Sequence, residues 1–556
     1  MSLNAENKSR ASRAAKYGTN VLLGTALFLV ILGALNFMAE RSNWRVDLTR
    51  NKSFTLSESS QGILRGLKDK VTVTVYATEK GVPAEVAEQR DQLRSLLLQY
   101  RNVSSGRVSF TFRDPAADPD ALTKAEQAGI PAVQMQTLGD AEFSIKEGYF
   151  GMVLQYMGKS QTIPVVRPDS SLEYQLTNAI NKLAQVNIPT VGVVAPQGNP
   201  FMGDQGNFRV VRQLLQEEGY TVRNIEPSRI RDEDLKDTNL LLVLQPEELG
   251  EEALFRIDQF VMGGGKLLVA ASGVQLDQRT GQATPQSPNI NSLLEHYGVR
   301  VQQDMLEDWG NGRPRNYMTQ RGFVRRVDPF AIEATDLNDT STITAKIPNM
   351  ILLYPSSIDR SALGTSATVT SLVRTSAQTR RQDGMFNMQS ERINPPTQAE
   401  LADLKAYDVA VHIKGVLNSR FAAVDAPVVT NDDGSTRTVP ASTVKHESPD
   451  TAEVIVVSSP LSFFDEVLGA GGATLVNAIF LLNCADATTR GGDIIALRSK
   501  QTEFAALRKV EAAEARTTKA LLIAGMPVLL ALLGFAKLAF SRARRARYRE
   551  IYGQGR

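Results

Sequence analysis

Two apolar runs, Val21–Met38 and Ala520–Phe540, bracket this chain and set the conditions under which everything between them folds. Each is close to the ~20 residues that a helix rising ~1.5 Å per residue needs to cross ~30 Å of hydrocarbon. Spans at 18–39 and 518–540 put both ends of the sequence on one side of a membrane and the long stretch between them on the other. The leading segment, 1–17, carries Lys8, Arg10, Arg13 and Lys16 against Glu6, and the trailing one, 541–556, carries Arg542, Arg544, Arg545, Arg547 and Arg549. Short basic flanks stay cytoplasmic. The expected placement is therefore a bacterial inner membrane with both ends cytoplasmic and the body periplasmic. Arg41, Arg45, Arg50, Arg508, Lys509, Arg516 and Lys519 on the inner flanks lessen that asymmetry without reversing it. No small-x-small cleavage site follows the first run cleanly, and its length exceeds a usual signal-peptide core, so an uncleaved anchor is expected.

The body has the composition of a folded protein. Apolar residues make up 42% and charged residues 22%, and a net charge of +2 gives no sign of a nucleic-acid partner. A body of this length suits two or three domains with real cores. Cys484 is the only cysteine, which excludes an intramolecular disulfide and any cysteine-rich metal site. His296, His412 and His446 fit no zinc spacing, so each reads as an isolated side chain and no metal is expected.

Hydrophobic periodicity divides the body into a first α/β domain at 45–185 and a second at 188–485 with insertions. In the first, Ser57 is a plausible N-cap for a helix through Leu67, with Glu58 in its first turn. Val71–Tyr76 and Val108–Phe112 alternate as strands do. Pro83–Tyr100 has helical spacing, with Pro83 in a first-turn position. Gly151–Tyr156 and Gln161–Val166 predict a hairpin closed at Gly158, and Leu172–Ala184 a helix. This order suggests a small thioredoxin-like α/β layer. In the second domain, strands at Thr190–Val194, Tyr220–Ile225, Leu240–Leu244 and Lys266–Ala270 alternate with helices at Phe208–Glu218, Glu251–Met262 and Ile290–Tyr297. That alternation predicts a parallel sheet. The pattern fades over 300–450, where Ser376–Glu400 and Asn431–Asp450 read as loops or insertions. A strand at Ala452–Val457 and a helix carrying Asn477–Leu482 follow. A helical linker, 486–517, leads through the charged stretch Thr502–Thr518 to the second span.

Three markers give the chain a family resemblance. One is Asp47-x-Thr49 with Phe54-Thr55-Leu56-Ser57, just after the first span. The next is Leu172-Glu173-Tyr174-x-Leu176-Thr177-x-Ala179-Ile180, followed by Val191-Gly192-Val193-Val194. The last is Ile455-Val456-Val457-Ser458-Ser459 with Phe463 and Phe464, then Asn477-Ala478-Ile479, a span and an arginine-rich tail. Their order over nearly the whole chain resembles the gliding-motility-type (GldG-like) auxiliary components of ABC transport systems. The resemblance implies a subunit docked on a separate permease and ATPase, and a second domain of amidotransferase-like but non-catalytic α/β fold.

The residues agree with that division of labour. A phosphate-cradling loop needs Gly-x4-Gly-Lys-Ser/Thr, but Phe260 stands at the first glycine before Gly265-Lys266 and Leu267 at the hydroxyl. Amidotransferase chemistry needs a cysteine at a strand-to-helix elbow. Leu244-Gln245-Pro246-Glu247 has none, and Cys484 lies in an apolar helical run and reads as a packed thiol. Ala270-Ala271-Ser272-Gly273-Val274 lacks the glycines of a serine elbow. Glu247-Glu248 and Glu251-Glu252 read as solvated charge near a helix start. No catalytic residue or cofactor is expected. What survives is binding, since ligands of open α/β sheets settle beyond the carboxyl ends of the strands. Those ends carry Gln197, Gly198 and Asn199, then Gln245 and Glu247, then Ser272 and Gly273. Within the spans, Asn36 and Pro527 are candidates for contact with a permease helix. The competing expectation is a non-enzymatic, membrane-anchored scaffold of the cell envelope.

Overall fold

The computed structural model describes residues 55–502, except 139–142, 167–171, 186, 197–207, 247–248, 278–281, 320–321, 361–365, 385, 388–393, 423–427, 431–433 and 470–474. It also describes Leu27, Ile31, Lys519, Gly525, Leu532 and 534–544. The two apolar runs thus lie largely outside the described residues, as does the linker stretch 503–518. Among the described residues no helix is long and apolar enough to cross a membrane. The chain divides into two units, Met1–Ile188 and Pro189–Arg556.

In the first unit, helix α1 (Glu58–Arg65) starts at Ser57, whose hydroxyl accepts from the Ser60 amide at 3.2 Å, as an N-cap should. Strand β1 (Val71–Ala77) buries Val71, Val73 and Val75 completely, the alternation its sequence predicts. Helix α2 (Ala84–Val103) packs Leu93, Leu97 and Tyr100 inward. Pro83 takes its N-cap rather than its first turn. After β2 (Val108–Arg113) come a helix, α3 (Pro119–Gln127), and a hairpin of β3 (Val133–Leu138) and β4 (Phe143–Gly148). The sequence reading missed these three elements. Helix α3 buries only Ala121 and Ala125, too small an apolar stripe to stand out. Strands β5 (Phe150–Tyr156) and β6 (Lys159–Ile163) are joined through Met157 and Gly158, at φ 47° and 79°, the paired positive φ of a tight hairpin turn. Helix α4 (Leu172–Ala184) follows. The sheet order is β2-β1-β5-β6, with β1 and β2 parallel and the other pairs antiparallel.

The second unit opens as expected. Its elements are β7 (Thr190–Val194), α5 (Arg209–Glu217), β8 (Thr221–Ile225), β9 (Leu240–Leu244), α6 (Glu251–Met262) and β10 (Lys266–Ala270). The segment 300–450 then supplies β11 (Asp304–Asp308), a long hairpin of β12 (Gly312–Thr319) and β13 (Gly322–Ala334), β14 (Asp336–Leu337), β15 (Met350–Leu353), β16 (Thr368–Arg374) and β17 (Asp408–Lys414). Strand β18 (Glu453–Val457) and helices α7 (Leu475–Thr489) and α8 (Asp493–Thr502) complete it. One eight-stranded sheet runs β8-β7-β9-β10-β18-β17-β16-β14. The first five strands are parallel and the last three antiparallel. The sheet is therefore mixed, not the uniformly parallel one expected. Its antiparallel strands come from stretches such as Thr-Val-Thr-Ser-Leu-Val-Arg, whose polar content hid them.

Strand β9 shows why the parallel part was legible. Leu240, Leu242 and Leu244 enter one hydrophobic cluster and Leu241 and Val243 the cluster on the other face. A strand covered on both faces reads as an unbroken apolar run. The helix expected at Ile290–Tyr297 is one turn, Asn291–Leu294, and the chain reverses at Gly298 with φ 102°.

The end of α7 is held by a buried charged knot. Asp486 accepts from the Tyr220 hydroxyl and from Arg498 Nη2, both at 2.6 Å. The Arg490 guanidinium lies 3.8 Å over the Tyr220 ring and donates to the Glu218 and Gly219 carbonyls. Burial, then the neighbouring Asp486, push the Tyr220 hydroxyl far above its ordinary range, so it stays a donor.

Candidate functional site at the carboxyl edge of the large sheet

From β7 the chain runs outward to β8, then returns past β7 to lay β9 on its other side. A reversal of this kind opens a crevice between the two diverging crossovers, at the carboxyl ends of the central strands. The predicted binding residues follow these strands in sequence. Strand β7 leads through buried Ala195 to Pro196, and then to Gln197, Gly198 and Asn199, which lie outside the described residues. Strand β9 leads to Gln245 and buried Pro246; Glu247 and Glu248 are also outside. Because β7 and β9 pair directly, Val191 with Leu240 through Val194 with Val243, their two exits are neighbours.

Gln245 is the unusual residue here. Its φ is 51°, in the left-handed region that side chains other than Gly, Asn and Asp seldom occupy. Its amide donates to the Ala270 carbonyl at 2.9 Å, which ties the end of β9 to that of β10. The side chain is half-buried at the crevice. Strain of about 1–3 kcal/mol persists only where surrounding structure enforces it, and functional sites are where it gathers.

Ser272 and Gly273, at the end of β10, are on the same edge but turned to internal work. The Ser272 hydroxyl donates to the Val274 carbonyl and accepts from the Val274 amide. Gly273 is buried, its amide donates to Ser356 Oγ at 2.9 Å, and a Cβ there would overlap the Gln302 carbonyl. Strand β18 ends under a similar cover. Ser459 Oγ donates to the Leu353 carbonyl at 2.7 Å. Asn477 accepts from the Ile351 amide at 2.9 Å and donates to the Ile351 carbonyl at 2.8 Å and the Ser462 carbonyl at 2.9 Å. Ser357 donates both its amide and its hydroxyl to Asp304. Strand β15 and its neighbours thus close the edge over β10 and β18. At the β7/β9 end, Gln245 is the predicted binding residue that the described structure places. Serines clamping a strand that sequence reading did not find gave no signal of their own.

The residues weighed for catalysis are placed as follows. Cys484 is buried in α7 within the core, and burial pushes its thiol well above the ordinary range. His412 Nε2 meets Glu453 Oε2 at 2.9 Å, His296 Nδ1 meets the Ser292 carbonyl at 3.1 Å, and His446 is exposed. Among the described residues no three His, Cys, Asp or Glu side chains converge as metal ligands. Gly263–Gly265 follow helix α6 and precede strand β10, whereas a phosphate loop follows a strand and opens a helix. Gly265 is covered by the Phe260 ring, and Lys266 Nζ contacts the Thr451 carbonyl. A cavity of about 440 Å³ lies there, lined by Gly263–Gly265, Lys266, Thr488 and Thr489, at the amino edge and so at the far end from the crevice. Asn36 and Pro527 lie outside the described residues.

Residues 188–484 match the model of a family described as an ABC-type uncharacterized transport system, and residues 50–155 match a domain of unknown function. An uncharacterized protein of Borreliella burgdorferi is 25% identical over 292 residues, 52% of this chain and 56% of that protein. This chain therefore aligns with little more than half the length of that relative. An alpha-L-fucosidase, isoenzyme 2, of Paenibacillus thiaminolyticus aligns with 57% of this chain and 36% of its own at 13% identity and a TM-score of 0.23. A polyextremophilic beta-galactosidase of Halorubrum lacusprofundi aligns with 54% of this chain and 46% of its own at 14% identity and a TM-score of 0.16. Alignments this loose carry neither fold nor sugar chemistry to the present protein.

Proposed function

The chain belongs to the family described as an ABC-type uncharacterized transport system, of which it is an auxiliary component, and we propose that it serves there as a membrane-anchored, extracytoplasmic subunit without catalytic activity. The observation that carries this reading is the family match over 188–484, which coincides with the doubly wound unit and its β7/β9 crevice. The basic flanks of the two apolar runs support an inner-membrane placement with both ends cytoplasmic. Energy comes from a separate ATPase, since neither glycine–lysine pair stands where a phosphate loop does: Gly158-Lys159 lies in the β5–β6 hairpin turn and Gly265-Lys266 between a helix and the strand after it. The permease is met through the two spans, with Asn36 and Pro527 as contact residues, and cargo through the crevice at Gln197–Asn199, Gln245 and Glu247.

Two finer assignments belong to this reading. The strand order β2-β1-β5-β6 and the helices between its strands support a thioredoxin-like first domain, one with no cysteine for redox chemistry. The three sequence markers support the gliding-motility type, and the crossovers around β7 and β9 an amidotransferase-like ancestry for the second domain.

The test is purification of the full chain in mild detergent from native membranes, with identification of what accompanies it. A permease and an ATPase in fixed ratio are expected. The chain alone, or with other envelope proteins only, would replace the subunit reading with that of a scaffold.

A further inference from the structure

Strand β2 is an edge of the first unit's sheet, and among the described strands it pairs with β1 alone. The Val71 amide donates to the Arg107 carbonyl at 2.8 Å, and the two strands stay in register without a bulge from Val71 with Val108 to Tyr76 with Arg113. In such a parallel ladder alternate residues bond the neighbour. Ser109, Thr111 and Arg113 therefore face β1, while Phe110 and Phe112 aim their amides and carbonyls away from it. An open row of this kind is a template for another strand, and proteins usually blunt it with Pro, Lys or a bulge. The opposite edge, β6, starts at Lys159 and is followed directly by Pro164. Strand β2 has neither Pro nor Lys.

The flank of this edge is positively charged. From Gln92 to Arg113 the sequence holds four arginines and no acidic residue. Arg113 pairs with Asp118, and Arg107 donates to the Arg65 carbonyl. Arg94 and Arg101, both exposed on α2, lie 4.2 Å over the Phe112 ring and 5.8 Å over the Phe110 ring. A ring takes only the flat face of a guanidinium and leaves the donors at its rim unspent. Among the described residues neither guanidinium forms a hydrogen bond or an ion pair. Between them on the same helix face is Leu98, 39% exposed. The two arginines are seven residues apart on a helix, about 10.5 Å along its axis. Side chains four residues apart on a strand are about 13 Å apart, within reach of two long arginines. A second copy pairing edge to edge would set this arginine row against itself.

We propose that the β2 edge binds an extended segment of a partner protein as an added strand. That segment carries acidic side chains four residues apart, one for Arg94 and one for Arg101, with an apolar side chain between them on Leu98. Main-chain bonds to Phe110 and Phe112 supply affinity, and the arginines select the acidic sequence.

The test uses the full chain in detergent and a short fluorescent peptide alternating threonine with glutamate, leucine and glutamate. Binding is expected, weakened by high salt and lost when the peptide's alternate amides are N-methylated. The R94E/R101E pair, at exposed positions, should weaken it about tenfold or more and create binding to the same peptide with lysine in place of glutamate. That exchange of preference is one that mere loss of folding cannot produce. Hydrogen exchange at the Phe110 and Phe112 amides should be fast in the chain alone and slowed by the peptide. The proposal is overturned by absence of binding at millimolar peptide, by equal binding of the glutamate and lysine peptides to the parent, or by protection elsewhere than β2. Slow exchange at both amides without peptide also overturns it: if independent of concentration, the chain's own segment holds the edge, and if concentration-dependent, a second copy does.

Discussion

Glu173 Oε1 accepts from both the amide and the hydroxyl of Ser57, each at 2.7 Å, across 116 residues of sequence. The same oxygen takes the Ser60 hydroxyl at 2.7 Å. Thr177 contacts the Tyr100 hydroxyl and lies 2.9 Å from Ser60 Oγ. Two of the sequence markers, at Thr55–Ser57 and Leu172–Thr177, are therefore two halves of one buried network. It also places a carboxylate at the positive end of α1.

Replacing Glu173 by alanine strands three donors, and an unmet buried donor costs about 1–3 kcal/mol. The E173A chain is expected to lose about 3 kcal/mol or more, while E173Q, which keeps an acceptor, loses less. Thermal unfolding of the detergent-purified protein checks the ranking; equal losses would contradict the network as the cause.

Asn477 grips both polar groups of Ile351, so N477A is expected to free β15 from the sheet edge at a cost of about 2–3 kcal/mol. Limited proteolysis should then cut within 300–450 sooner than in the parent. An unchanged cleavage rate would show that the grip is dispensable.

Gln245 and Gly273 were both candidates for binding, and opposite outcomes are expected of them. Q245G relieves a positive φ and should be neutral to stabilising by about 1 kcal/mol. G273A forces a clash with Gln302 and should unfold the edge, costing about 3 kcal/mol or more. If Q245G gains stability and lowers transport in cells, the strained residue serves the crevice. Full transport with Q245G would remove it from the site.

Two carboxylates, half-buried Glu453 and buried Asp258, should respond to pH in opposite directions. Burial raises Glu453, but the His412 hydrogen bond and nearby Lys414 outweigh it and hold the group below its ordinary 4.5. Its contribution is present above that value and is lost as pH falls through the lower, folded one. Burial raises Asp258, against hydrogen bonds from Ser419, Gln259 and Tyr297, above its ordinary 3.8. Its contribution is present below 3.8 and is lost as pH rises through the folded value. Melting curves from pH 3 to pH 6 should therefore show E453Q converging on the parent as pH falls, and D258N improving relative to the parent as pH rises.

What could be read from sequence was whatever burial had simplified. Strand β9 is apolar at every position because both its faces are covered, and α6 was bounded correctly by acidic residues at its start and Gly263 at its end. Strands β16 and β17 escaped notice because they lie in the segment where polar positions interrupt the apolar ones. Within the site, strand ends could be located, but the partners of those ends could not. Gly273 and Gln245 look alike as loop residues; only the distant Ser356 and Gln302 separate a packed glycine from a strained crevice residue.

The knot of Tyr220, Asp486, Arg490 and Arg498 has a mechanical consequence. Any pull along the chain beyond α8 arrives first at Arg498, and passes through Asp486 to Tyr220, at the entrance of edge strand β8. Force enters the unit as shear on packed, charge-paired side chains rather than by unzipping α7 from its end. A tug from the direction of the second apolar run would therefore load these paired side chains before it could peel α7 from the sheet.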